Sequence, residues 1–189
     1  MSSKVQLSAA VIALNEAHQL ADLLKSLAWV DEIVVVDGGS RDATAEIARQ
    51  AGARCVVRPF DNYAAQRNFA ADLTRGRWVL AIDADERPAP GFVDEVQRRI
   101  AQPQASAWRV PIRSRIFGRP FRFSGTQDDR PIRLYDRRRA RWTGDVHERL
   151  TVHGRVDTLD AHLEHQTIPD LAAFLAKMHR YTSLAAEAT

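Results

Sequence analysis

The chain has 189 residues, 45% of them hydrophobic, which is enough for one domain with a sizeable core and too few for two ordinary enzyme domains. No apolar run approaches the roughly 18 residues that span a bilayer, and the first residues do not resemble a signal peptide, so we expect a cytoplasmic protein. A single cysteine excludes an internal disulfide framework. The net charge is only +3, but arginines crowd positions 109 to 141, which favours an anionic partner for that region.

The first hundred residues alternate short apolar runs with segments of helical periodicity. Strands are predicted over 7–14, 32–36, 54–57 and 78–82, and helices over 17–27, 41–50, 62–73 and 91–100. Parallel neighbours need crossover connections, so this order predicts an α/β fold with a mostly parallel, Rossmann-like sheet and helices on both faces.

The second half is less regular. It predicts strands over 107–113 and 131–135, a polar segment between them, and a final helix over 169–186 with Pro169 in its first turn. No repeat or linker separates independent domains. We therefore expect one domain, 1–189, with a lobe boundary near residue 103.

Carboxylates follow the fourth predicted strand, in the sequence Asp83-Ala84-Asp85-Glu86. This is the sheet edge at which open α/β folds bind ligands. Two acids one residue apart can share Mg²⁺ or Mn²⁺, which completes its coordination with water and substrate phosphates. An isolated D-x-D is more often a helix cap or a solvated turn.

Polar residues also follow the first two strands and change that balance. Asn15-Glu16 follows the first strand, and Asp37 precedes Gly38-Gly39 after the second. Glycine lets a ligand approach the backbone closely, and Asp37 can accept hydrogen bonds from a ribose or a base. A glycine turn with Ser40 or Asp42 as a helix cap is compatible with this interpretation.

Four ordered motifs, at 13–16, 37–44, 65–68 and 83–85, resemble the inverting family 2 glycosyltransferases of GT-A fold. The resemblance implies metal-dependent transfer of a sugar, with a UDP-hexose as the expected donor and lobe 1–103 binding it. It also implies Asp85 as the metal ligand. The implied nucleotide-binding residues are Asn15, Glu16, Asp37, Gly39, Arg67, Asp83 and Ala84.

The segment W-T-G-D-V-H-E-R-L at 142–150 resembles the V-H-E motif of a branch related to lipopolysaccharide-core β-1,4-glucosyltransferases. A glycan or glycolipid acceptor, bound by lobe 104–189, is then expected. Inverting transfer needs a base on the acceptor hydroxyl, and Glu148 is the candidate. The alternative is a structural Glu148 paired with an arginine. His147, Asp129 and Arg133 are the expected acceptor-side or auxiliary residues.

Other charged and aromatic residues have two interpretations each. The arginines of 113–141, interleaved with Phe117, Phe121 and Phe123, suit an anionic acceptor or peripheral contact with the inner membrane, and equally a solvated basic turn. His162 and His165 are interpreted as structural, because no third metal ligand lies nearby in the sequence.

Two other functions remain as alternatives. A nucleotidyltransferase would carry a glycine-rich, lysine-containing loop after the first strand, where this chain has Asn15-Glu16-Ala17. A noncatalytic basic module for nucleic acid would explain the arginines but not the acidic strand ends, so no nucleic-acid partner is expected. A dehydrogenase is less favoured, since no G-x-G-x-x-G follows the first strand.

Overall fold

The computed structural model describes residues 5–116, 119–120, 130–144 and 148–168. The strands are β1 Leu7–Ala13, β2 Glu32–Asp37, β3 Arg54–Val57, β4 Trp78–Ala81, β5 Glu86–Pro88, β6 Ala107–Arg109, β7 Ile112–Ile116, β8 Arg119–Pro120, β9 Ile132–Asp136, β10 Ala140–Thr143, β11 Arg149–Val152, β12 Val156–Thr158 and β13 Leu163–Ile168. The helices are α1 Ala17–Ser26, α2 Thr44–Gln50, α3 Tyr63–Leu73 and α4 Phe92–Ala101, and a 3-10 turn spans Arg137–Arg139.

The central sheet has seven strands in the order β12-β6-β9-β4-β1-β2-β3. Strands β4, β1, β2 and β3 run parallel, and β9 is antiparallel to both of its neighbours. Val34, Val35 and Val36 of β2 are fully buried, as a strand covered on both faces requires. The prediction of a mostly parallel α/β sheet is confirmed.

Helices cover both faces of this sheet, as predicted. Leu20 and Leu23 of α1, with Phe92 of α4, belong to the hydrophobic core on one face, where Ala48 of α2 is also buried. Ala64 and Ala70 of α3 pack in the core on the other face, together with Tyr135 and Trp142. The second core therefore joins α3 to strands from beyond residue 103.

The prediction of one strand over 107–113 is wrong in one respect, because this stretch contains two strands that belong to different sheets. Strand β6 lies in the central sheet, whereas β7 belongs to a four-stranded sheet of order β5-β13-β7-β8. Pro111 separates them and has no N–H to donate to a continuous ladder. The Val110 N–H donates to the Pro131 carbonyl, and the Pro111 carbonyl accepts from the Leu163 N–H.

The other second-half predictions have mixed outcomes. The strand predicted over 131–135 is β9, and β9, β6 and β12 extend the sheet begun by residues before 103. The helix predicted over 169–186 lies outside the described residues. Among the helices that are described, none has both the length and the apolar character needed to cross a membrane.

Candidate active site

A cavity of about 300 Å³ opens at the carboxyl edge of β1, β2 and β4. It is lined by Ile12, Ala13, Leu14, Glu16, Gly38, Phe60, Tyr63, Gln66, Arg67, Asp83, Ala84, Asp85 and His165. All three predicted strand-end motifs therefore contribute to one cavity. This is the position expected for a ligand site in an open parallel sheet.

Asp85 and His165 form a pair inside this cavity, with 2.9 Å between Asp85 Oδ2 and His165 Nε2. Each side chain is about 30% exposed. Strand β13 runs antiparallel to β5 and sets His165 opposite Glu86, while the Gln166 N–H donates to the Asp85 carbonyl at 2.8 Å. His165 is interpreted as structural from the sequence, which does not predict its contact with Asp85, 80 residues away in the chain.

The His165 ring is held in a strongly acidic setting. Burial disfavours its charged form, but the hydrogen bond to Asp85 and the negative charges of Asp85, Glu86 and Asp83 outweigh burial and raise the pKa of His165. A metal ion bound by this nitrogen would have to replace its proton, so metal affinity would fall with decreasing pH.

The pair also fits a divalent cation by its chemistry. A carboxylate oxygen and an imidazole nitrogen are both metal ligands, and here they are within reach of a shared ion. Within the described ranges, no three His, Cys, Asp or Glu side chains form a group that could hold a metal alone. Asp85 and His165 would thus supply two ligands and leave the others to phosphate oxygens and water.

Asp83 is held by two arginines. Its Oδ1 lies 3.0 Å from Arg67 Nη2, and its Oδ2 lies 2.7 Å from Arg133 Nη2. Burial opposes ionisation, but the charges of Arg133 and Arg67 outweigh it and hold the pKa of Asp83 well below its usual range. Because both oxygens already accept from guanidinium groups, Asp85 is the better placed of the two acids to meet a cation.

Arg133, expected among the auxiliary residues, lies buried beneath the acidic loop. Its Nη2 is 2.6 Å from Glu86 Oε1, and Glu86 Oε2 accepts from the Asp83 N–H at 2.9 Å. Burial, with the charge of Asp83, raises the pKa of Glu86 to about 7 in spite of Arg133. Arg133 therefore supports Asp83 from below.

Arg67 links Asp83 to Glu148. Its Nε is 3.4 Å from Glu148 Oε1, and its guanidinium lies over the Trp142 ring at 5.1 Å from the centroid. Glu148 is 24% exposed. This geometry matches the predicted pairing of Glu148 with an arginine and also keeps the carboxylate beside the donor-side acids. His147 and Asp129 lie outside the described residues.

The loops after β1 and β2 are tied together by polar contacts. Asn15 has a φ of 57°, its Oδ1 accepts from the Arg41 N–H at 2.8 Å, and its own N–H donates to Ser40 Oγ at 2.8 Å. Asp37 is buried and accepts from the Ser40 N–H and hydroxyl. Glu16 lines the cavity, and its N–H donates to Thr44 Oγ1.

Gly39 and Ala84 shape the backbone of this site. Gly39 has a φ of +95° and open space where a Cβ would lie, so the turn favours glycine for its conformation. Ala84 is buried, and its carbonyl accepts from Arg87 Nη1 at 2.7 Å. The first of these positions admits a close backbone approach, and the second fixes the acidic loop.

Sequence reasoning missed an aromatic pair at the mouth of the cavity. Phe60 and Tyr63 meet edge to face with 5.0 Å between ring centroids, and each is about half exposed. Leu14, which lines the same cavity, is exposed to a similar degree. The only available signal was two aromatic residues just before the 65–68 motif.

Comparison with known proteins agrees with this architecture. Residues 8–154 match Glycosyl transferase family 2. The lipopolysaccharide core biosynthesis glycosyltransferase LpsC of Rhizobium meliloti is 33% identical over 169 residues, which is 82% of this chain and 61% of LpsC.

Two solved structures are similar in fold. Staphylococcus aureus TarS 1–349 in complex with UDP has a TM-score of 0.53 at 22% identity, covering 70% of this chain and 47% of TarS 1–349. Glucosyl-3-phosphoglycerate synthase of Mycobacterium tuberculosis, in complex with Mn²⁺, UDP-glucose and phosphoglyceric acid, has a TM-score of 0.50 at 26% identity, covering 58% and 44%.

This chain thus spans less than two thirds of each of these three proteins. The match to the family nevertheless covers most of the chain and includes the strand-end motifs at the cavity. With its mostly parallel sheet and GT-A fold, the chain belongs to glycosyl transferase family 2.

Proposed function

We propose that this protein transfers a hexose from UDP to a saccharide or lipid-linked glycan acceptor, with inversion and with the help of Mg²⁺ or Mn²⁺. The observation that carries the proposal is the Asp85–His165 pair in a cavity whose wall also holds Asp83 and Arg67. The similarity to a synthase whose structure holds Mn²⁺ and UDP-glucose supports the choice of donor and cation. The similarity to LpsC supports an acceptor in the lipopolysaccharide core.

On the donor side, the chain's own residues divide the work. The loops that carry Asn15, Glu16, Asp37 and Gly39 would receive the nucleoside, with Asp37 accepting from the ribose or base. Arg67 borders the same cavity and carries a fixed positive charge towards a diphosphate. A divalent cation bound at Asp85 and His165 would neutralise charge that develops on the departing diphosphate.

On the acceptor side, Glu148 is the proposed base. Arg67 presents its Nε to Glu148 and its Nη2 to Asp83, so one guanidinium orients both carboxylates. A base for inverting transfer must approach the sugar from the side opposite the leaving group. Glu148 would take the proton of the acceptor hydroxyl while the hydroxyl oxygen attacks the anomeric carbon of the donor sugar and the diphosphate departs. We place this reaction in the cytoplasm or at the cytoplasmic face of the inner membrane.

The test is a panel of nucleotide sugars incubated with the protein, with Mn²⁺ or with a chelator, while release of the nucleoside diphosphate is measured. We expect one UDP-sugar to be turned over in Mn²⁺ and none in chelator, and Asp85→Ala to lose the Mn²⁺-dependent signal. Metal-independent turnover would refute the cation's role. Pyrophosphate release from a nucleoside triphosphate and a sugar phosphate, without activity on any nucleotide sugar, would instead identify a nucleotidyltransferase.

A further inference from the structure

Asn68 of helix α3 makes two hydrogen bonds to the hairpin formed by β10 and β11. The Asn68 Nδ2 donates to the Trp142 carbonyl at 2.9 Å, and the Trp142 N–H donates to Asn68 Oδ1 at 2.9 Å. We propose that Asn68 is a positioning residue for the base, fixing Glu148 against the donor site. The inference rests on the proposed function, because it assumes that Glu148 is the base.

The two bonds complete an otherwise open strand edge. Trp142 lies opposite Leu150 in the β10–β11 ladder, yet both of its backbone polar groups bond to Asn68. These groups therefore point away from β11, as they do at a non-hydrogen-bonded pair of an antiparallel ladder. Trp142 is only 8% exposed, so loss of the amide would leave a buried N–H and carbonyl unpaired.

An amide is the side chain that this position needs. It donates to the carbonyl with one atom and accepts from the N–H of the same residue with another, whereas an ionised carboxylate can only accept. The hairpin is further held by Trp142 Nε1, which lies 3.3 Å from the Tyr135 hydroxyl. The Asn68 contact thus fixes the position of β10 relative to α3.

A short series of contacts connects the position of β10 to that of Glu148. Thr143 lies opposite Arg149 in the ladder, and Glu148 directly precedes Arg149. Arg67, the neighbour of Asn68 in α3, reaches Asp83 with one nitrogen and Glu148 with another. One turn of α3 thereby sets the acidic loop through residue 67 and the base through residue 68.

Catalysis is sensitive to such placement, because a shift of about 1 Å in a reacting group can cost on the order of 100-fold in rate. Asn68 does not itself line the cavity, and its two described side-chain hydrogen bonds go to the Trp142 backbone rather than to Asp83 or Asp85. Its loss should therefore lower turnover and leave donor binding nearly unchanged. A residue that merely stabilised the fold would not separate these two quantities.

The test compares Asn68→Asp, Asn68→Ala and the control Asp72→Ala. Asn68→Asp keeps the shape but loses the donor to the Trp142 carbonyl. Asp72→Ala removes the exposed ion pair between α3 and Arg141 of the same hairpin, which should have little effect. We expect kcat to fall at least tenfold in both Asn68 variants and less than twofold in the control. The Kd of UDP with Mn²⁺ should stay within about threefold of the parent in all three.

Two results would overturn the inference: an unchanged kcat in either folded Asn68 variant, or equal losses of kcat and UDP affinity. Hydrogen exchange supplies a readout that does not need activity. Exchange in β10 and β11 should quicken in the Asn68 variants while β1 stays protected, and unchanged exchange would refute the tie. If the parent turns over no nucleotide sugar, the proposed function fails, and the exchange rates alone decide whether Asn68 holds the hairpin.

Discussion

Asp85 and His165 lie far apart in the sequence but form one pair in the cavity. If they share a cation, removing either should lower Mn²⁺-dependent UDP affinity by roughly tenfold or more. Mutation of residues that only support the ligands of a metal site already lowers metal affinity by about 10- to 100-fold. Calorimetric titration of His165→Ala with UDP, in Mn²⁺ and in chelator, measures this. His162→Ala is the matched control, since His162 does not line the cavity. Equal Mn²⁺ dependence in His165→Ala and the parent would exclude His165 as a ligand.

Glu148 can be tested against its own alternative, a structural pairing with Arg67. If Glu148 is the base, Glu148→Gln should lower turnover by about 10²- to 10⁴-fold, while UDP affinity and melting temperature stay close to those of the parent. As a structural partner, the same change should lower the melting temperature and donor affinity together. Turnover, UDP affinity and melting temperature measured on one preparation separate the two roles. Turnover within a few-fold of the parent would remove Glu148 from the mechanism.

At the scale of elements, the joint between α3 and β4 shows how closely the sheet is packed. A Cβ on Gly76 would lie 2.9 Å from the Ser8 backbone nitrogen and 3.0 Å from the Trp78 carbonyl oxygen. Gly76→Ala should therefore reduce the free energy of unfolding by about 3 kcal/mol, as for an overpacked core. Denaturant unfolding measures this.

Gly52 supplies the comparison for that experiment. It has a φ of +78° but open space around a Cβ, so Gly52→Ala should cost only about 1 kcal/mol of backbone strain. Equal losses for the two variants would mean that Ser8 and β1 yield to the extra methyl group.

The sequence predicted some elements well because of how they are buried. Strands β1, β2 and β4 contain continuous apolar runs, and such runs identify strands covered on both faces. Helix α2 begins at Thr44 rather than at the predicted residue 41, since Asp42 Oδ1 accepts from the Thr44 N–H.

The second sheet could not be predicted in the same way. Strand β5 has three residues and β13 mixes polar and apolar residues, so neither shows a clear period. Their pairing is nonlocal, and it is this pairing that places His165 beside Asp85. The four motifs were therefore enough to predict Asp83, Asp85 and Arg67 as residues of one site, but they did not predict His165 beside them.

Across the whole molecule, the described arginines of β9 and of the 3-10 turn after it lie at two opposite edges of the central sheet. Arg133 reaches the acidic loop, whereas Arg137–Arg139 follow β9 at the opposite edge. The reason is direction: β9 is antiparallel to β4 and pairs Asp136 with Trp78, the first residue of β4. Arg133 therefore contacts the acidic loop of the cavity, whereas the 3-10 turn lies at the other end of β9.

That opposite edge should contribute to stability in a pH-dependent way. Although burial favours the neutral acid, hydrogen bonds from Arg138 and Arg77 lower the pKa of Asp136 to about 2. The unfolded value is about 3.9, so the carboxylate stabilises the fold above that pH, and the contribution is lost as pH falls towards 2. Asp136→Asn should cost about 2 kcal/mol at pH 7 and progressively less below pH 5, as measured by denaturant unfolding.

Asp157→Asn is the control for this experiment. It removes the ion pair with Arg155, which is 67% exposed, and should cost less than about 1 kcal/mol at any pH. A pH-independent loss in Asp136→Asn would mean that the arginines do not stabilise the ionised form.

The alternating charges Glu86, Arg133, Asp83, Arg67 and Glu148 form one unbroken series of contacts through the site. Substitutions within such a series are epistatic, since each residue changes the partners left to the next. Once Asp83 is replaced by asparagine, Arg67 has only Glu148 as an ionised partner among these five. The combined effect of Asp83→Asn and Glu148→Gln on unfolding free energy should then differ from the sum of the single effects by at least about 0.5 kcal/mol. Relatives of this protein should accordingly change these positions in concert.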